Sequence, residues 1–218
     1  MFFHYFMKSL LFIRKCWRWI MRQLYQLQFK NLHKTARIDH TTEVTNPDNL
    51  FMEDNTSIDG GGVIMNTRAK VIMKKNSGSA IGLLAVTGNH MSVVGMNMKQ
   101  VTDDVKDRLD VSHEMDKDII IEEDVWIASN VTLLSGSRLG RGCEVGAGSV
   151  VRGNVPPYSV VIGNPCKVVG FRFTPEEVIE HEKSQYEEYE RLSFDLLQKN
   201  YDKYFLKRIK DIKQFTKL

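Results

Sequence analysis

Six histidines, His4, His33, His40, His90, His113 and His181, are the side chains of this sequence whose ordinary pKa lies near neutrality. One of them has a telling position. His90, in Gly88-Asn89-His90-Met91, stands at the last place of a repeating pattern before that pattern breaks. An imidazole there can take the proton of a hydroxyl as its oxygen attacks a carbonyl. His113 lies within the break and could face the same cleft. No histidine pair stacks within residues 119–172, which argues against a three-imidazole zinc site. Cys16, Cys143 and Cys166 are odd in number and share no motif, so they read as reduced, buried thiols rather than a disulfide or metal site. Gly60–Gly62 is followed by no Lys-Ser/Thr pair and reads as a turn, not a phosphate loop.

The elements that position these groups follow a beat of six. Ile121, Ile127, Leu133, Leu139, Val145 and Val151 recur without a miss. Four residues after each come Val125, Val131, Ser137, Cys143, Ser149 and Val155, all small or β-branched. A period of six is neither helical nor an alternating strand, and signals a repeat architecture. Each unit makes one short flat side with its aliphatic residue inward, and three sides close a coil of eighteen residues. Stacked coils pair as parallel strands at about 4.8 Å. Residues 38–90 carry an imperfect version: Ile38, Val44 and Leu50, then Ile58 and Ile64 after a slip of two, with Ile81-Gly82 resuming it. Asp59–Gly62 and Asn76–Ser79 read as turns.

Several segments carry a family resemblance: Asp124-Val125-Trp126-Ile127, Val145–Val151, Val155-Pro156-Pro157-Tyr158 and Gly163-Asn164-Pro165-Cys166-Lys167. They resemble the hexapeptide-repeat acyltransferases, nearest the galactoside/maltose O-acetyltransferases and the xenobiotic acetyltransferases. The resemblance is strong over residues 119–172, weaker over 38–90 and absent at both ends. It implies a mainly β fold, a left-handed parallel β-helix, and acetyl-CoA as acyl donor with no metal. It also implies His90 as the catalytic base in an Asn-His-Met segment with Asn89, and the backbone N–H of Ser129 as oxyanion donor, with Trp126 flanking the cleft. The family more often has glycine where Ala128 stands. The coenzyme lining it implies is Ser129, Gly146, Ala147, Arg152, Asn164 and Lys167, with Arg172 as a further phosphate candidate. It implies a homotrimer with sites between subunits, His90 from one and much of the coenzyme site from the next.

The remaining segments read as additions. Residues 1–37 form an N-terminal arm with eight basic side chains and no acid; the remainder carries 22 basic against 27 acidic residues. Phe6, Leu10, Ile13, Trp17, Ile20, Leu24 and Leu27 step by four and three, the spacing of an amphipathic helix. The arm has no long apolar run, so neither a transmembrane span nor a secretory signal fits. Two readings stay open: peripheral contact with an anionic membrane, or packing within the trimer. Residues 38–172 form the β-helix, with an inserted loop over 91–118 that holds a short helix from Asp103 to Leu109. Residues 173–218 form a C-terminal helical tail, opened by the capping box Thr174-Pro175-Glu176-Glu177.

The expected activity is acetyl transfer from acetyl-CoA to a hydroxyl of a sugar or polysaccharide precursor. The alternatives are a xenobiotic-type acetyltransferase, a sugar-nucleotide N-acyltransferase, and a non-catalytic membrane-associated scaffold. The arm is too apolar for nucleic-acid tracking. The expected location is cytoplasmic, with the inner face of the membrane as the alternative placement.

Overall fold

The computed structural model describes residues 2–216. Three stacks of short strands form the sides of a triangular prism, a left-handed parallel β-helix. The first sheet holds Arg37–Ile38, Ser57–Ile58, Gly78–Ser79, Trp126–Ile127, Glu144–Val145, Ser159–Ile162 and Lys167–Phe171. The second holds Glu43–Val44, Val63–Met65, Leu84–Val86, Thr132–Leu133 and Val150–Val151. The third holds Leu50–Met52, Val71–Met73, Ile119–Ile121, Arg138–Leu139 and Asn154–Val155. Every pair is parallel except the last, in which Lys167–Phe171 turns back antiparallel on Ser159–Ile162 across a bulge.

Both sequence registers from Ile121 to Val155 point inward, and all twelve residues are buried. Each inward aliphatic contributes roughly 1.5–3 kcal/mol of burial. Coil length explains why the beat fails earlier. Trp126 pairs with Glu144, an offset of 18, whereas Arg37 pairs with Ser57 and Ser57 with Gly78, offsets of 20 and 21. The longer early coils place their extra residues at the corners and shift the phase. Ile81 is therefore 59% exposed; the inward residues beneath Ile127 and Leu133 are Ser79 and Ala85. Gly78-Ser79, expected as a turn, is a strand.

Corners need one left-handed residue per coil. At the edge between the third and first sheets (the 3–1 edge) these are Asn55, Asn76, Asp124, Gly142 and Tyr158. At the 1–2 edge they are Gly61, Gly82, Asn130 and Gly148. Asn, Asp and Gly tolerate this backbone most readily.

The inserted segment leaves after the third strand of the second sheet and returns at Ile119. It carries α2 (Asp103–Leu109), whose bounds match the sequence expectation. It folds back on the prism: Asp116 bridges Gly88, and Lys117 N–H donates to the Thr87 carbonyl.

The tail holds α3 (Pro175–Gln185), opened by the expected capping box, with Thr174 and Glu177 each bonding the other's backbone. It continues as α4 (Phe194–Tyr204) and α5 (Ile209–Thr216), separated by a 3-10 turn over Leu206–Arg208.

At the other end, α1 (Phe2–Gln26) meets the first coil through its C-terminal half. Arg18 pairs with Asp39 at 3.0 Å, the Tyr25 hydroxyl donates to the Thr42 carbonyl, and Gln26 donates to the Ala36 carbonyl. Burial pushes the Asp39 pKa up, but the Thr41 hydroxyl, the Thr41 N–H and Arg18 outweigh it and hold it down to about 2. The folded state thus favours the ionised carboxylate. Its contribution is present above the ordinary value of 3.8 and is lost as pH falls through about 2. Trp19 shares a small recess with Asp39. Acidification across that window is expected to change tryptophan emission as α1 loosens, and the change should be absent in Asp39→Asn.

Candidate active site

The residues singled out in the sequence sort by prism edge. His90 lies just past Val86, on the 2–3 edge, exposed to solvent. The folded-back insertion holds its neighbour: Asn89 N–H donates to the Met115 carbonyl at 2.9 Å, and the Asn89 carboxamide donates to the same oxygen at 3.3 Å. Between this strand end and the insertion lies a cavity of about 310 Å³ lined by His90, Asn89, Arg68, Lys106 and Asp116, among others. Lys106 Nζ meets Asp116 Oδ1 at 2.7 Å with both side chains largely buried. Arg68 reaches Asp107 at 2.9 Å and Asp103 at 3.4 Å. His90 is thus the one cavity-lining side chain among the described residues whose ordinary pKa lies near neutrality. His113, with its left-handed backbone, is exposed on the insertion and does not line the cavity.

Arg68, Lys106 and Asp116 were not singled out by sequence reasoning. Arg68 sits in the irregular coils and the other two in the insertion. The fold-back of the insertion gathers them, through Asp116 against Gly88 and the pairs of Arg68 with α2, and no spacing announces it.

Ser129, Gly146, Ala147 and Asn164 lie on a different edge, the 1–2 edge, in successive coils. The N–H groups of Ala128 and Asn130 bond the Val145 and Ile81 carbonyls. That of Ser129, between them, donates to no acceptor among the described residues. Ala147, eighteen residues on, repeats this: the Gly146 and Gly148 N–H groups bond Val161 and Ser129, and its own donates to no described acceptor. Two unspent donors therefore stand one above the other, roughly 4.8 Å apart. Buried backbone donors nearly always find partners, so a stacked pair left open at a surface edge is a ready acceptor-binding strip.

Gly146 also has a packing reason for its size, since a Cβ there would meet Ile162 Cγ2 at 2.5 Å. Lys167 opens the antiparallel strand opposite Ile162, at the same edge, after the turn holding the cis Asn164–Pro165 peptide. Arg152 stands apart on the 2–3 edge, two coils above His90, or roughly 10 Å. Trp126 lies half-exposed across Gly78 on the outside of the first sheet.

Arg172 is not placed for phosphate. Its guanidinium donates to Asp124 Oδ2 at 2.9 Å and to the Gly142 carbonyl at 3.0 Å, lies 3.4 Å from Glu144, and packs on Phe173. Cys143 is buried, and burial pushes its thiol far above the ordinary value, which removes it as a nucleophile. Cys16 is exposed rather than buried. Among the described residues, no group of three His, Cys, Asp or Glu side chains is gathered as a metal ion would require.

Within one chain, then, the base candidate and the donor strip occupy different edges of the prism, separated by the width of the second sheet. Neither alone encloses a ligand.

Residues 118–153 match the family described as bacterial transferase hexapeptide (six repeats). No curated protein matches the chain in sequence. Among solved structures, a hexapeptide-repeat-containing acetyltransferase from Vibrio cholerae, complexed with acetyl coenzyme A, is 24% identical at a TM-score of 0.54, covering 68% of this chain and 74% of its own. A maltose O-acetyltransferase from Clostridium difficile is 22% identical at a TM-score of 0.56, covering 68% and 73%. A galactoside acetyltransferase in complex with coenzyme A is 19% identical at a TM-score of 0.56, covering 71% of each chain. At these identities the likeness is one of fold.

Proposed function

We propose that this hexapeptide-repeat chain is an acetyl-CoA-dependent O-acetyltransferase acting on a sugar or polysaccharide precursor, with its active site completed between neighbouring subunits of a homotrimer. The observation that carries the reading is the separation just described: an exposed imidazole on the 2–3 edge and two stacked open donors on the 1–2 edge. Packing the 2–3 edge of one subunit beside the 1–2 edge of the next brings both into one cleft, with Arg152 and Lys167 for coenzyme phosphates. Apolar side chains exposed on the insertion, Val94, Met98, Leu109 and Val111, support its burial against a neighbour.

The steps follow from that geometry. The acceptor hydroxyl enters the cavity beside Arg68, Lys106 and Asp116, whose polar atoms suit saccharide hydroxyls. His90 takes the hydroxyl proton as the oxygen attacks the thioester carbonyl. The negative oxygen that forms accepts hydrogen bonds from the open strip, Ser129 N–H foremost. The tetrahedral intermediate then collapses, expelling the coenzyme thiolate, which recovers the proton from His90. The basic, aromatic arm supports an acceptor held on a lipid carrier.

A complementation experiment tests site and assembly together. His90→Ala removes the base, while Ala147→Trp, at an exposed corner, fills the coenzyme strip of the neighbouring half-site. Each variant alone is expected to lack acceptor-dependent thiol release from acetyl-CoA across a panel of sugars and sugar nucleotides. An equal mixture reassembled at random should recover about a quarter of wild-type activity, because about three quarters of its trimers are mixed and each of these pairs intact halves at one of its three interfaces. No recovery would place the whole site within one chain. No coenzyme binding by the wild type would remove the acyltransferase reading in favour of a scaffold.

A further inference from the structure

We propose that α1 lies in the plane of an anionic lipid surface, with its apolar stripe in the acyl boundary, and holds the first coil of the prism against the headgroups. The helix spans 25 residues, about 37 Å. Its polar bonds to the prism among the described residues run through Arg18, Tyr25 and Gln26. At 100° per residue these side chains share one face, and Phe6, Leu10, Ile13, Trp17, Ile20 and Leu24 cluster roughly 130° away from it. The structure agrees: those six are between 43 and 61% exposed, and Leu24, at the C-terminal end of the stripe, also borders a recess with His40. A stripe of this length and composition does not stay in water.

Charge decides between the possible covers. Residues 1–37 carry eight basic side chains and no acid. A second copy of α1 laid against the first would bring like charge to like charge along the whole helix, with no acid to offset it. Phospholipid headgroups of negative charge supply the missing sign. Lys8 and Arg14 lie outside the stripe, N-terminal to the Arg18–Asp39 contact, and are exposed, whereas Lys15 lines the recess that holds that contact. Phe12, 68% exposed, sits toward the other border of the stripe, as interfacial aromatics do, whereas Trp19 belongs to the recess beside Asp39. Among the described residues no helix is long and apolar enough to cross a membrane, so the helix lies on the surface rather than through it.

The test reads binding, not catalysis, so its failure is separable from failure of the acyltransferase reading. Full-length protein is sedimented with vesicles of phosphatidylcholine alone and with vesicles that also contain phosphatidylglycerol. Expected is binding to the second that weakens as salt rises, with at least a tenfold loss in Ile13→Glu/Ile20→Glu and a smaller loss in Lys8→Glu/Arg14→Glu. The substitutions lie on the exposed side, so the mass of the assembled particle should not change. Wild-type protein that ignores anionic vesicles, binds both kinds equally, or binds as well after the stripe is charged would overturn the proposal. So would a stripe variant whose particle falls to a smaller mass, which would assign the stripe to contacts between copies.

Discussion

His90→Ala is expected to lower acceptor-dependent acetyl transfer by about a thousandfold, within the usual range for loss of a general base. The size follows from the lack of a substitute. Lys106 and Asp116, the other ionisable groups deep in the cavity, are locked to each other at 2.7 Å, and Arg68 is spent on Asp103 and Asp107. His113 is outside the cavity lining. The loss should fall on kcat. Coenzyme binding should stay near wild type, because Ser129, Ala147 and Lys167 stand on another edge and do not touch His90. Thiol-release kinetics together with calorimetric coenzyme binding separate the two. A variant that keeps full activity would remove His90 as base, whereas one that loses coenzyme affinity in proportion would make it a binding residue.

The second large effect concerns how the tail is held. Glu182, on α3, is fully buried. One of its oxygens accepts from the Tyr158 hydroxyl at 3.0 Å and from Arg141 at 3.3 Å; the other accepts from the Leu192 N–H at 2.6 Å. Arg141 in turn pairs with Glu123 at 3.2 Å and stacks 4.1 Å over the Tyr186 ring. Burial, then the charge of Glu182, push the Tyr158 hydroxyl far above its ordinary pKa, so it stays a donor at every physiological pH. Glu182→Ala strands a buried hydroxyl, a buried N–H and part of a guanidinium. The expected cost is about 3 kcal/mol, the low end for breaking a buried ionic network, because Arg141 keeps Glu123. For a chain of this length that lowers Tm by roughly 10 °C. Removing the capping hydroxyl at Thr174, on the exposed side of the same helix, should cost only about 1 kcal/mol. Thermal melts of the two variants side by side check the contrast. Equal, small shifts would mean that the tail is held by its apolar contacts, Val178 and Leu197 against Tyr158, rather than by this network.

These two sites were unequally legible in the sequence. The beat from Ile121 to Val155 places every inward residue, because coils of constant length keep one phase. The cap at Thr174–Glu177 is equally local and equally plain. Ile81 shows where this stops. Coils of 20 and 21 residues carry their surplus at corners, and nothing local says which corner, so the phase of the early coils is lost. Arg68 and Lys106 meet His90 through a contact between an insertion and a strand end, which has no period at all. The fully buried Glu182 lies in a run of seven acids against one lysine, between Glu176 and Glu190, that reads as a solvated face. One of those acids turns inward because Arg141, some forty residues earlier, waits there.

The reversed final strand has a bearing on solubility. A parallel stack can in principle add coils without end, and its last strand offers free backbone groups to any chain that arrives. Here Lys167–Phe171 runs against the grain of the stack and bends at a bulge between Val160 and Val161. A newcomer cannot continue the parallel register from an antiparallel strand, so the first of the three sheets offers no parallel edge at that end. Chains clipped before Lys167 would expose that edge, and they should aggregate more readily than the full chain.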